Sequence, residues 1–307
     1  NNHWGVPLTL ARMPADTEYG VFEIGMNHAG EITPLVKMVR PHVAIITTGQ
    51  PVHLEFFGSV EKIAQAKAEI FSGLEPNGVA ILNRDNMQFD LLNFLATAAG
   101  VPRVDTFGEI PGADSVVEKV SRQPGSSSVQ AKILGQEITY KIGAPGRHHV
   151  KNSLAVLTAV VELGADLALA GLALADMRAP KGRGEVTRLK LPDGYFDVID
   201  ESYNANPASM RAALETFSMR EPPSGRKILV LGDMRELGDQ SKELHLSLID
   251  AIEAAGADRV FLVGPEFGAV APGLAGKVTV TGKADTVSGV EEAVLDSLAA
   301  GDAVMLK

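Results

Sequence analysis

The sequence predicts an α/β fold arranged as two successive domains, each built on a mostly parallel sheet. Three observations carry this prediction. The chain has 307 residues, and at about 150 residues per domain that is room for two. Hydrophobic residues make up 45% and charged residues 21%, the balance of an ordinary globular protein. Short apolar runs with β character alternate with segments of helical spacing, the signature of βαβ units and a parallel sheet.

Residues 21–24, 43–47 and 79–82 read as buried strands. Between them, residues 31–38 and 60–74 place apolar side chains at helical spacing. Residues 116–140 differ: Val129, Ala131 and Ile133 alternate with polar residues and Gly135 follows, which predicts a small antiparallel hairpin beside the parallel sheet. Residues 150–163 and 167–177 read as two successive helices. The run Ala179-Pro180-Lys181-Gly182-Arg183-Gly184 breaks the pattern and reads as a hinge. A second α/β series follows. Residues 196–199, 227–231, 259–263 and 302–306 are strand-like; residues 208–217, 244–255 and 290–298 are helix-like. Thr281-Gly282-Lys283-Ala284 lacks the final Ser or Thr of a phosphate loop and reads as a loop.

Composition narrows the function. The net charge is −10, so the basic footprint of a nucleic-acid binder is missing. An anionic substrate would need local positive charge or a metal to offset this field. Cysteine is absent, which excludes disulfides, thiolate zinc sites and cysteine nucleophiles and points to the cytoplasm. No apolar run approaches the ~20 residues of a membrane span. No coiled-coil or repeat pattern calls for more than a monomer. The chain begins Asn1-Asn2-His3-Trp4 and stops at Leu306-Lys307, directly after a strand-like run, so a fragment of a longer chain is expected.

Six places could carry chemistry. Glu23, in Glu23-Ile24-Gly25-Met26-Asn27, closes a predicted strand, where a carboxylate either holds Mg²⁺ beside a nucleotide or faces water. His53 is either a metal ligand or a structural histidine. Lys67, in Ala66-Lys67-Ala68-Glu69-Ile70, reads by itself as a solvated lysine. Gly146-Arg147-His148-His149-Val150-Lys151-Asn152 opens a helix, which suits an anion or a base or simple capping. Asp200-Glu201-Ser202-Tyr203-Asn204-Ala205-Asn206-Pro207 is either an elaborate cap or part of a site. Leu231-Gly232-Asp233-Met234-Arg235-Glu236-Leu237-Gly238, with His245 beyond it, lies at a strand's carboxyl end, where α/β proteins bind ligands. The dinucleotide fingerprint Gly-x-Gly-x-x-Gly is missing there, and the hydrolase elbow Gly-x-Ser-x-Gly occurs nowhere.

Taken in order, these strings resemble the Mur ligases. They are Asn1-Asn2 with Gly5-Val6-Pro7-Leu8-Thr9-Leu10, Glu23-Ile24-Gly25-Met26-Asn27 with Gly30-Glu31-Ile32, and His53-Leu54-Glu55 with Phe57-Gly58-Ser59. Ala66-Lys67-Ala68-Glu69-Ile70, Asn83-x-Asp85, Gly146-Arg147-His148 with Asn152, and Gly182-Arg183 follow. The strings at 202–207 and 232–238 point to the branch that joins D-Ala-D-Ala to UDP-N-acetylmuramoyl-tripeptide. The resemblance implies three domains, of which this sequence covers two. Residues 1–181 would be the central ATP-binding domain, cut on its N-terminal side: a mostly parallel sheet with helices on both faces and a small antiparallel part. Residues 182–307 would be a Rossmann-like C-terminal domain, cut at its end. The family's phosphate loop belongs upstream of Asn1, so this stretch alone is expected to be inactive and to bind ATP weakly.

The reaction implied is ATP-dependent amide formation in peptidoglycan precursor synthesis. The tripeptide carboxylate takes the γ-phosphoryl group, and the amine of the dipeptide attacks the acyl phosphate. Phosphoryl transfer needs charge neutralisation and positioning, here from two Mg²⁺ ions. By resemblance Glu23 and His53 hold Mg²⁺, and Lys67 matches a lysine that becomes carbamylated, which turns a cationic amine into the oxygen ligand a hard cation prefers. His148 and Asn152 match an adenine-contacting segment. Arg183 matches an arginine that reaches ATP when the C-terminal domain closes, and Asp200 a ribose contact. Asn204 and Asn206 would line the cleft, and Asp233, Met234 and Glu236 the dipeptide pocket. Thr48, His149 and Glu201 depart from the family's frequent Asn, Asn and Asp. The alternatives are a sister amide ligase that takes a diamino acid or glutamate, and an inactive two-domain fragment.

Overall fold

The computed structural model describes residues 1–48, 57–123, 125–222 and 224–307. They group into two compact units. The first holds Asn1–Ser121, Ser128–Lys141 and Val150–Ala175; the second holds Arg122–Ser127, Ile142–His149 and Asp176–Lys307.

The first unit opens with α1 (Gly5–Arg12), α2 (Ile32–Val39) and β1 (Val43–Ile46). Next come α3 (Val60–Ala68), which runs on into a 3-10 turn at Glu69–Gly73, then β2 (Val79–Asn83), α4 (Phe89–Ala98) and β3 (Arg103–Gly108). Strands β4 (Ser115–Gln123), β5 (Ser126–Ile133) and β6 (Gln136–Ile142) precede α5 (Arg147–Glu162) and α6 (Leu167–Ala173). The strand order is β1-β2-β3-β4-β5-β6, and β1 through β4 pair in parallel. Every residue of β2 is buried, which explains why this strand reads as an unbroken apolar run. Ile46, Ala64, Phe71, Leu82 and Leu92 form one core cluster of this unit. The β5–β6 hairpin forms as predicted. Leu134 and Gly135 both take positive φ, 45° and 89°, the two-residue turn whose twist matches that of antiparallel strands.

Two sequence readings change. Residues 21–24 are not a strand, and Val21 is 92% exposed. Among the described residues no strand lies beside them, and a strand without a ladder partner cannot satisfy its backbone groups. The Gly25 N–H there donates to the Asn1 carbonyl at 2.7 Å. Residues 281–284, expected as a loop, belong to a strand in the second unit.

That unit contains β7 (Glu185–Leu191), β8 (Gly194–Asp200), α7 (Pro207–Ser218), β9 (Lys227–Gly232), α8 (Ser241–Leu246) and α9 (Ile249–Ala254). It continues through β10 (Arg259–Val263), α10 (Pro265–Leu274), β11 (Val280–Ala284), α11 (Ser288–Ser297) and β12 (Ala303–Leu306). The order is β11-β10-β9-β12-β8-β7. Only the β7–β8 pair is antiparallel. Side-chain alternation along β9 splits the core across the sheet. Leu229 and Leu231 join Met210, Phe217 and Phe267 on one face, while Ile228 and Val230 join Phe196 and Phe261 on the other. β11 carries Thr and Lys because only one of its faces is covered. Gly282 is needed in it, since a Cβ there would sit 3.0 Å from the Phe261 ring.

Two buried carboxylates fasten the ends of this sheet. Asp302, fully buried, accepts from the Arg226 backbone at 2.8 Å and its guanidinium at 2.8 Å, tying the start of β12 to the start of β9. Asp197 takes Arg188 at 2.8 Å and Arg220 at 2.9 Å. We predict that Phe261→Ala, which empties a fully buried site under β11, lowers unfolding stability by about 3–5 kcal/mol. Urea or guanidinium denaturation measures it.

Candidate functional site

Parallel strands present their carboxyl ends on one side of a sheet, and loops there must find partners for amides that no ladder satisfies. In the first unit the side chains after β2 do this. The Asn83 amide donates to the Thr47 carbonyl at 2.7 Å and accepts the Asp85 N–H at 2.9 Å. Asp85 in turn accepts the amides of Glu109 at 3.0 Å and Ile110 at 3.1 Å, and pairs with Lys151 at 2.9 Å. Burial pushes its carboxyl up, but Lys151 and the two amides outweigh burial and hold it below the usual carboxylate range. Asn152, next on α5, is exposed.

Lys67 lies in the last turn of α3, half-buried. Its ammonium makes no hydrogen bond or ion pair among the described residues, and burial alone holds its pKa below the ordinary lysine value. Two residues on, Glu69 accepts the Gly30 N–H at 2.5 Å and both the N–H and hydroxyl of Thr33 at 3.0 Å. Glu31 accepts the Asn27 N–H at 2.8 Å and contacts the His28 ring at 3.1 Å. These two carboxylates fix the loop at residues 27–30. An open cleft beside it is lined by His28, Phe57, Lys62, Gln65, Ala66 and Glu69. Glu23 keeps an exposed carboxylate. His53 lies outside the described residues. Among the described residues no three His, Cys, Asp or Glu side chains cluster as a metal site.

In the second unit the end of β8 organises a tight polar knot. Asp200 accepts the Ser202 hydroxyl at 2.6 Å and its N–H at 3.0 Å. The serine hydroxyl is the chief reason its carboxyl stays low, and Lys181 adds to it. Gly182 takes φ 75°, and a Cβ there would meet the Tyr203 Cβ at 2.8 Å. The Tyr203 N–H donates to the Gly182 carbonyl at 3.0 Å, and the Arg183 guanidinium sits 4.5 Å over the Tyr203 ring. Arg183 thus presents an exposed cation braced on the Tyr203 ring. Asn206 is the N-cap of α7, in a reciprocal box with Ser209. Its side-chain oxygen is therefore engaged by the backbone. The Lys307 ammonium donates to the Asn204 carbonyl at 2.8 Å and lies 3.7 Å from Glu201. Burial pushes the Glu201 carboxyl up, against the pull of Lys307.

A small, partly open recess in the second unit is lined by His148, His149, Arg183, Glu201, Phe217 and Arg220, among others. The two imidazoles lie 4.0 Å apart. Burial and then the Lys307 ammonium lower His148; burial and then His148 push His149 down to about 4.

The end of β9 is organised by Asp233. Its carboxylate accepts the Phe267 N–H at 2.8 Å and the Glu266 N–H at 3.1 Å, capping α10. This closeness excludes a side chain at Gly264, where a Cβ would fall 2.2 Å from the carboxylate carbon. His245 is fully buried; its Nε2 accepts the Met234 N–H at 2.9 Å and its Nδ1 faces the Ser241 carbonyl at 2.7 Å. That pattern selects the tautomer protonated on Nδ1. The Met234 side chain is buried in the core, while Glu236 is exposed at φ 61°. The structure therefore brings the Gly182–Arg183 turn against Tyr203 and the backbone of Asp200, and Asp233, Met234 and Glu236 fall in one turn after β9. Sequence reasoning missed the roles of Tyr203, Lys151 and Glu69; the signal for Lys151 lay in Asn83-x-Asp85 at a strand end.

A family model described as "Mur ligase middle domain" matches residues 1–160, and one described as "Mur ligase, glutamate ligase domain" matches residues 182–307. The fold defines a two-sheet α/β protein with polar side chains gathered at the carboxyl ends of parallel strands. The chain belongs to the Mur ligase family.

The chain is 36% identical over 264 residues to the UDP-N-acetylmuramoyl-tripeptide–D-alanyl-D-alanine ligase of Rickettsia prowazekii, covering 86% of this chain and 58% of that protein. It is 36% identical over 271 residues to the enzyme of the same name from Escherichia coli, covering 88% and 58%. Among solved structures it is similar to MurF from Acinetobacter baumannii, with a TM-score of 0.86 and 29% identity over all of this chain and 65% of that one. It is also similar to MurF ligase from Thermotoga maritima in complex with ADP, with a TM-score of 0.77, 25% identity, and coverage of 100% and 67%. The chain spans 58% of the length of these curated relatives.

His149 supplies a pH test. Its folded pKa lies below the ~6.5 of an unfolded histidine, so the unfolded chain binds the proton first. We predict that this residue costs no stability above pH ~6.5 and destabilises the fold progressively as pH falls from there toward about 4. NMR titration should give a His149 midpoint near 4, and His149→Asn should flatten that stretch of the stability curve.

Proposed function

We propose that this chain is part of a ligase that joins D-Ala-D-Ala to UDP-N-acetylmuramoyl-tripeptide at the expense of ATP, in peptidoglycan precursor synthesis. The observation that carries the reading is the 36% identity to ligases of that name along both units. The reaction runs through an acyl phosphate. The tripeptide carboxylate attacks the γ-phosphorus, ADP leaves, and the dipeptide amine then displaces phosphate from the carbonyl carbon. The reading places the enzyme in the cytoplasm, where ATP is available, as a monomer, with a domain boundary between Lys181 and Gly182.

Residue roles follow from the chemistry of each side chain. Arg183, an exposed cation braced on Tyr203, would pair with the nucleotide phosphates. Asp200, held ionised by Ser202, would accept ribose hydroxyls. Asn152 and His148 at the start of α5 would contact the base. Asn204, Asn206, Asp233, Met234 and Glu236 would border the dipeptide, Asn206 and Met234 through their backbones.

The donors fit Mg²⁺ in part. Glu23 offers the exposed carboxylate oxygens that a hard cation prefers. Lys67 fits only after conversion. Its half-buried amine, without a partner among the described residues and with a pKa lowered by burial, has a larger neutral fraction than a solvated lysine, and only the neutral amine adds to CO₂, releasing a proton and leaving a carbamate. Glu23, the Lys67 carbamate and His53 would hold two Mg²⁺ ions, which supply charge neutralisation for phosphoryl transfer.

The test uses the full-length protein. Phosphate release from ATP and UDP-N-acetylmuramoyl-tripeptide should depend on D-Ala-D-Ala; preference for a diamino acid or glutamate would sink this reading in favour of a sister ligase. Lys67→Ala should lower turnover by about a hundredfold, the scale on which disturbing a metal ligand acts. The same variant should lose the carbamate carbon signal that ¹³C-bicarbonate gives in the wild type.

A further inference from the structure

We infer that Asp85 is a positioning residue that sets the face of α5 carrying Asn152, and through it the protein's grip on the nucleotide base. The inference rests on the ligase reading, and all of its residues lie in the first unit.

Asp85 stands at the junction of three elements. Its backbone N–H is fixed by Asn83, whose amide also reaches the end of β1 at Thr47. One face of its carboxylate takes the Glu109 and Ile110 amides just past β3. The other takes the Lys151 ammonium of α5 at 2.9 Å. Gly108 makes this reach possible, because a Cβ there would fall 2.5 Å from an Asp85 oxygen. Asp85 and Lys151 are 10% and 25% exposed, so the pair is screened far less than a surface ion pair. A half-buried pair of this kind is costly to break on one side, even with Glu109 3.7 Å from the Lys151 ammonium. It sets where the first turns of α5 lie relative to the ends of β2 and β3.

Asn152 follows Lys151 directly and makes no hydrogen bond among the described residues. Its amide is left to meet a ligand. A helix that shifts or rotates by a fraction of a turn would carry that amide out of register with a planar base, whose edge accepts only coplanar hydrogen bonds. Asp85 touches no ligand in this account. It acts through Lys151 and α5.

The experiment measures steady-state kinetics of the full-length protein and its Asp85→Asn, Lys151→Met and Lys151→Arg variants, with thermal melting as a check on folding. Asp85→Asn and Lys151→Met should each raise KM for ATP about tenfold, the scale of one charge-assisted hydrogen bond. They should leave KM for D-Ala-D-Ala within twofold and reduce the preference for ATP over GTP. Lys151→Arg, which keeps the cation, should stay near wild type. An unchanged KM for ATP in a folded Asp85→Asn or Lys151→Met protein would overturn the inference. So would an equal rise for ATP and dipeptide, which marks a merely structural role. If Asp85→Asn does not fold, the two lysine variants decide. If the wild type shows no phosphate release dependent on D-Ala-D-Ala, the ligase reading fails. Calorimetric titration of ATP into wild type and Lys151→Met then decides the positioning role by itself.

Discussion

The loops at the carboxyl ends of the parallel strands carry backbone amides that no sheet partner satisfies, and strand-end carboxylates take them up. Asp85 after β2 gathers the amides past β3, Asp200 at the end of β8 closes the turn through Ser202, and Asp233 after β9 caps α10. An unsatisfied buried amide costs about 1–3 kcal/mol, so these side chains are held in one geometry. Rigid strand ends position a site more accurately than free loops do.

In a protein of net charge −10, what each cation faces decides what it can do. Three lysines leave water to different degrees and meet different fates. Lys151 is neutralised by Asp85, and Lys307 is shared between the Asn204 carbonyl and Glu201. Lys67 has no partner among the described residues, and burial is the only influence on its pKa. A paired lysine is an anchor. Lys67 is half-buried with no partner among the described residues, which sets it apart from the solvated helix lysines its local sequence suggests.

Legibility followed burial. Strands β2, β9 and β10 are covered on both faces, so their residues are apolar without interruption and the sequence displays them. Strand β11 is not: Val280, Gly282 and Ala284 alternate with Thr281 and Lys283, and pairing with β10 overrides that weak local signal. Residues 21–24 misled in the other direction, since an apolar run is a strand only when a neighbouring strand is there to receive its hydrogen bonds. Asp200 was legible as a site candidate from its strand-end position, and Arg183 from the resemblance to the ligase family. The Tyr203 ring under Arg183 was not, because ring and guanidinium are brought together by the fold of the Gly182 turn.

The sequence by itself determined the class of fold, the two series of alternating elements, the hairpin at the edge of the first sheet and the motif strings shared with a ligase family. All of these depend on local periodicity or on short strings. The tertiary structure alone decided that β12, the last strand in the chain, lies between β9 and β8. It alone decided that Asn206 caps a helix, that Met234 faces the core, and that Asp85 joins residues 24 and 66 positions away. Strand order and long-range polar contacts depend on which surfaces meet when the chain is compact. No window of neighbouring residues encodes that meeting.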